Sequence, residues 1–142
     1  MSTAWTITFD CAEPAILAAF WRRALGYVEG APPAGSATWE EYLASVGVPP
    51  EEWGDGAYIE DPEGLRPAIS FLKVPEVKTA KNRVHLDLAP PSPDQRDEEV
   101  RRITALGATV VDDRRKPDGT GWVVLADPEG NEFCVERGVA GD

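Results

Sequence analysis

The chain has 142 residues, 42% of them hydrophobic and 27% charged, and 25 Asp and Glu against 14 Lys and Arg leave a formal charge of −11. This acid excess argues against nucleic acid as a partner, since phosphates need clustered Lys and Arg, and no run nears the roughly 20 apolar residues of a membrane helix. The two cysteines, Cys11 and Cys134, lack CxxC spacing and the N-terminus lacks a basic segment followed by an apolar one, so a cytoplasmic protein with structural thiols is expected.

In chain order, Trp5-Thr6-Ile7-Thr8-Phe9-Asp10 alternates with period two and predicts a strand. A helix follows from Pro14 to Leu25, with Ile16, Leu17, Phe20, Trp21 and Ala24 on one stripe and Gly26 as its stop. Trp5 and Trp21 read as core beneath it. After a short extended piece at Tyr27-Val28, residues 35–53 carry Thr38-Trp39-Glu40-Glu41, a capping box, then Tyr42, Leu43 and Val46 on one face and Gly47-Val48-Pro49-Pro50 as a stop. A short amphipathic helix is predicted there. Its aromatics, with Trp53, either anchor this segment to the body, the favoured reading, or serve a pocket lid as stacking surfaces. Next come Gly56-Ala57-Tyr58-Ile59-Glu60, the turn Asp61-Pro62-Glu63-Gly64, and Ala68-Ile69-Ser70-Phe71-Leu72-Lys73-Val74, which together predict a β-hairpin.

The second half repeats the plan. Arg83-Val84-His85-Leu86-Asp87-Leu88 predicts a strand, and Ser92-Pro93-Asp94-Gln95 opens a helix carrying Val100, Ile103 and Leu106 to Gly107. Ala108 to Asp112 is extended, and Trp122-Val123-Val124-Leu125-Ala126 reaches a second Asp127-Pro128-Glu129-Gly130 turn before Glu132-Phe133-Cys134-Val135-Glu136. Both helices end in Ala-Leu-Gly. From Gly26 to Asp61 is 35 positions but from Gly107 to Asp127 only 20, which makes residues 35–53 an insertion. The chain therefore reads as one α+β domain, 1–142, built of two β-α-β-β-β modules at about 1–78 and 79–138.

Paired modules of this kind, each closing on a DPxG hairpin, resemble the glyoxalase/bleomycin-resistance/extradiol-dioxygenase superfamily, the vicinal oxygen chelate fold. The stretch from Phe71 to Lys78, the run Lys81-Asn82-Arg83-Val84-His85-Leu86-Asp87-Leu88 and the run from Gly121 to Phe133 look like its glyoxalase-like domain group. The resemblance implies a curved mixed sheet around a central cleft, helices on the convex face, and a homodimer. If Ile7 and Phe9 pack under the first helix, Thr6, Thr8 and Asp10 face the cavity. If Val84, Leu86 and Leu88 pack under the second, His85 and Asp87 do. The same parity turns Ser70, Leu72, Glu132, Cys134 and Glu136 inward.

Metal-dependent relatives place a His, Gln or Glu near the start of each module's first strand and a Glu three residues after the Asn of DPxGN. Here His85 matches, Thr6 stands at the corresponding place in the first module, and Cys134 takes the Glu position. The implied site is therefore depleted, and the leading expectation is a small-molecule binding protein without metal or other cofactor. Its ligand, possibly cationic or aromatic, would meet the pocket-facing candidates His85, Asp87, Thr6, Thr8, Ser70, Cys134, Glu136 and Trp39. The alternative is a lyase, isomerase or dioxygenase using a divalent ion such as Zn, Mn, Ni or Fe, with His85 as the first ligand and Cys134, Asp87 or Glu136 completing it. A third reading is a non-catalytic dimeric structural domain. Cys134 reads as a small core residue, or as a nucleophile if His85 acts as its base. Glu132, Lys78 and Lys81 read as solvated charges.

Overall fold

The computed structural model describes residues 1–138. The chain forms two compact units, Met1–Val77 and Lys78–Asp142, each containing a four-stranded mixed sheet. Among the described residues no helix is long and apolar enough to cross a membrane.

In the first unit, β1 (Ile7–Cys11) leads through α1 (Pro14–Leu25) to β2 (Val28–Glu29), α2 (Trp39–Ser45), β3 (Gly56–Glu60) and β4 (Ile69–Lys73). The sheet order is β1-β4-β3-β2, with β1 parallel to β4 and the other pairs antiparallel. Pro14 occupies the first turn of α1 and Gly26, left-handed at φ 71°, ends it by donating its N–H to the Arg22 carbonyl. Leu17, Ala18, Phe20, Trp21 and Ala24 are buried. Trp21 stands edge-on to Phe9 with ring centroids 5.4 Å apart, and Phe9 meets Phe71 at 5.5 Å. Truncating Phe71, which is fully enclosed, would cost about 3–5 kcal/mol.

Three apolar side chains depart from expectation. Trp5 is 65% exposed because the ladder starts two residues later, at Ile7. Ile16 is 57% exposed, since the buried stripe passes through Ala18 instead, and Val46 is exposed at the C-cap of α2. The predicted cap is present in altered form: the Thr38 hydroxyl accepts from Glu41 N–H at 3.1 Å, while the Glu41 carboxylate reaches Ala37 N–H at 2.9 Å, one residue before the cap.

The second unit contains β5 (Asp87–Leu88), α3 (Arg96–Ala105), β6 (Thr109–Asp113), β7 (Val123–Ala126) and β8 (Glu132–Val135) in the order β5-β8-β7-β6. Val100, Ile103, Val123, Leu125, Phe133 and Val135 make its core. The predicted strand 83–88 is regular only at its end. It joins β8 where Leu86 and Leu88 carbonyls accept from Cys134 and Glu136 N–H, so Val84, ahead of the ladder, is 86% exposed rather than packed under α3. Ser92 caps a 3-10 turn over Pro93–Gln95, and α3 proper begins at Arg96.

Both DPEG sequences form the same closed turn. Gly64 and Gly130, at φ 68° and 88°, donate N–H to the Asp61 and Asp127 carbonyls. The Asp61 carboxylate also accepts from Glu63, Leu65 and Arg66 N–H, and that of Asp127 from Glu129 and Asn131. A feature without a sequence signal is Arg96, only 6% exposed, whose Nη1 donates to the carbonyls of Gly119, Thr120 and Gly121 at 3.1, 3.0 and 2.9 Å.

Candidate functional site

Strand β8 turns Phe133 and Val135 into the core and leaves Glu132, Cys134 and Glu136 on its opposite face. The parallel register sets Asp87 beside Cys134, and His85, two residues before Asp87, shares its face. All three side chains therefore border one pocket of about 340 Å3, whose other walls include Trp122, Lys81 and Glu136. The His85 ring meets Asp87 with Nδ1 to Oδ1 at 2.9 Å. The ligand-type atoms of His85, Asp87 and Cys134 lie within 4.8 Å of one another, the one such group among the described residues.

The state of the thiol is set by burial first and by Asp87 second. Burial pushes the Cys134 thiol up to about 11, and the negative charge of Asp87 and its acceptance of the thiol hydrogen add to the effect. At neutral pH Cys134 is therefore a protonated donor, not a nucleophile. The Asp87 carboxylate accepts from it and, when ionised, from Nδ1–H of His85. That tautomer leaves Nε2 of His85 with its lone pair free.

At the start of β8, Glu132 is not a solvated carboxylate. It takes the Lys78 ammonium at 3.0 Å and Asn82 N–H at 2.9 Å, with side chains 24% (Lys78) and 16% (Glu132) exposed. Burial would raise its pKa, but these donors bring it below the usual value. The clasp fastens residues 78–82 beside the pocket. Although parity turned Glu132 to the pocket face, no sequence pattern named its partners some 50 positions away.

The remaining candidates lie elsewhere. Ser70 and Trp39 line a different cavity, of about 450 Å3, within the first unit. Trp39 is anchored, its indole N–H donating to the Gly30 carbonyl at 2.7 Å and its ring edge-on to Tyr42 and Tyr58. Trp53 likewise donates to the Val48 carbonyl at 3.0 Å. The anchoring expected of these aromatics is present, and Trp39 and Trp53 also wall the cavity. Thr6 and Thr8 are exposed and line neither pocket. Six of the eight candidates thus fall in two places, Ser70 and Trp39 in the first-unit cavity and His85, Asp87, Cys134 and Glu136 in the second-unit pocket.

The sequence profile of the glyoxalase-like domain matches residues 6–136. The chain belongs to the glyoxalase-like domain family. No curated protein sequence matches it. Solved structures of the glyoxalase, bleomycin-resistance and fosfomycin-resistance superfamily do. The fosfomycin resistance protein FosX from Listeria monocytogenes, complexed with Mn(II) and sulfate, is 16% identical over 98% of this chain and 92% of its own, with a TM-score of 0.64. A glyoxalase/bleomycin resistance protein/dioxygenase family enzyme from Burkholderia phytofirmans is 17% identical over 92% and 94%, at 0.61. FosX from Mesorhizobium loti is 10% identical over 98% and 94%, at 0.63. At these identities the likeness establishes the fold of this glyoxalase-like protein.

The donor set can be tested against the metal that such a fold implies. One imidazole nitrogen, one carboxylate and one thiol match in kind what a zinc-type ion takes from a protein, and three is the number that leaves an open position. Against this, the thiol holds its proton to about pH 11 and Asp87 is engaged by both neighbours. His85, Asp87 and Cys134 would hold the ion only after exchanging those hydrogen bonds for coordination.

Proposed function

We propose that this glyoxalase-like protein binds a small molecule reversibly in the pocket of its second unit, without a resident metal. The observation that carries this reading is the internally satisfied polar set: Asp87 is matched by His85 and Cys134, so the pocket keeps its shape with no ion to organise it. Trp122 offers a stacking wall and Nε2 of His85 a free acceptor. With Glu132 paired to Lys78, Glu136 and Asp87 against Lys81 leave the lining acidic, which favours a cationic or aromatic ligand. The same reading takes the protein to act as a cytoplasmic homodimer, as the superfamily resemblance supports. Calorimetric titration of metal-stripped protein with aromatic amines tests the binding. A saturable component of the heat that is lost in His85→Ala is the expected result, and no component sensitive to that substitution at millimolar ligand would refute the reading.

One observation favours a second reading: the 4.8 Å convergence of His85, Asp87 and Cys134 supports a divalent-metal enzyme of the glyoxalase-like type. Bound there, the ion would supply a Lewis acid to polarise a substrate oxygen. A thermal-shift titration with Zn2+, Mn2+, Ni2+ and Fe2+ separates the two readings. Specific binding at a hundredfold over Kd adds about 2.7 kcal/mol, and a stabilisation that disappears in His85→Ala would establish the metal reading. No stabilisation by any of these ions would retire it for them.

A further inference from the structure

The 450 Å3 cavity of the first unit shares no lining residue with the pocket of the second, and the insertion supplies Trp39, Leu43, Glu52 and Trp53 to its wall. Its size is that of a pocket for a small organic ligand. Helix α2 has an apolar face, yet none of its residues is buried. Trp39 and Leu43 on that helix, with Trp53 and Tyr58, are only half-buried, and all four border the cavity. Both indole N–H groups are already committed to backbone carbonyls, which fixes the rings and leaves them their aromatic surfaces for a ligand.

The charge around these rings is not balanced. Arg22 lies 3.9 Å from Glu29, which sets one cation against one anion. Glu52, also on the lining, has no partner among the described residues, so the cavity carries one excess negative charge. Aromatic walls with an uncompensated carboxylate recognise an apolar cation, through cation–π attraction at the rings and Coulomb attraction at the rim. We propose that this cavity is a second ligand site, specific for a lipophilic organic cation such as an aromatic ammonium. The site is independent of His85 and its neighbours.

The test is calorimetry at low salt on the full chain carrying His85→Ala, which silences the second-unit pocket, with three probes of nearly one shape: naphthylmethylammonium, the neutral naphthalenemethanol and the anionic naphthoate. The cation should bind about tenfold more tightly than the neutral probe, and Glu52→Gln should remove most of that preference. Leu43→Trp, which fills the void from a half-buried position, should abolish binding, with an unchanged circular dichroism spectrum showing that it folds. Equal affinity for the three probes, preference for naphthoate through Arg22, indifference to Glu52→Gln or Leu43→Trp, or no binding in this background would each overturn the proposal. Because His85→Ala silences the other pocket, failure here is distinguishable from failure of the reading above.

Discussion

Asp87 and Cys134 stand opposite one another in the parallel pairing of β5 with β8, and the carboxylate accepts the thiol hydrogen. The same carboxylate accepts from the His85 ring at 2.9 Å. Two donors therefore share a single acceptor, which keeps the thiol protonated and fixes the orientation of the imidazole.

Reactivity of Cys134 should therefore depend on Asp87. With the thiol at about 11, alkylation by iodoacetamide at pH 7.5 should be slow. Asp87→Asn removes a charge that raises that value, so the midpoint of the rate against pH should fall and the rate at pH 8 should rise severalfold. Cys134→Ala supplies the background from Cys11. An unchanged pH profile in Asp87→Asn would show that burial alone controls the thiol.

Acid should act through a different cluster. The Arg115 side chain, helped by its backbone N–H, holds the Asp113 carboxyl at about 2, and hydrogen bonds from Arg96 and then Arg115 lower Asp97. A folded-state pKa below the unfolded value of 3.8 means that the stabilisation is present above that value. It is lost as pH falls through about 2. Melting temperature measured from pH 5 downward should decline over this window, and less steeply in Arg115→Gln. Parallel declines in both proteins would assign acid sensitivity to other carboxylates, such as Asp61 and Asp118, which are also lowered.

Removal of Arg96 should be costly although it touches no pocket. Its guanidinium serves three successive carbonyls, Gly119 to Gly121, and Gly121 sits at φ 92° against the Arg114 backbone with no room for a side chain. Arg96→Ala should lose about 2–3 kcal/mol in urea denaturation, and Arg96→Lys, with fewer donors in a less fixed geometry, should recover only part. A loss below about 0.5 kcal/mol, the scale of an ordinary surface change, would mean that water replaces the guanidinium at no cost.

Local chemistry made the turns and helix ends legible in the sequence. Asp-Pro-Glu-Gly has one low-energy way to fold, and Pro14 with Gly26 bounded α1 to the residue. Alternation is weaker information. It assigns a face to each residue but not the rung where pairing begins, which is why Trp5 and Val84 read as core and are exposed. The same limit applied at the site. Parity put His85, Asp87 and Cys134 on one side of their strands, while only the β5–β8 register could show that they meet. The Lys78–Glu132 and Arg96 contacts span 54 and at least 23 positions, and nothing in local sequence encodes a partner at that range.

The insertion, residues 35–53, lies between two strands that are joined by only two rungs, Val28 with Glu60 and Glu29 with Ile59. It leaves and returns beside that short pairing, while β1, β4 and α1 form the core. Such a segment is a cassette. It can be lengthened, shortened or exchanged while the strands beneath keep their register, which separates the part of the module that folds from the part that is free to change what it recognises.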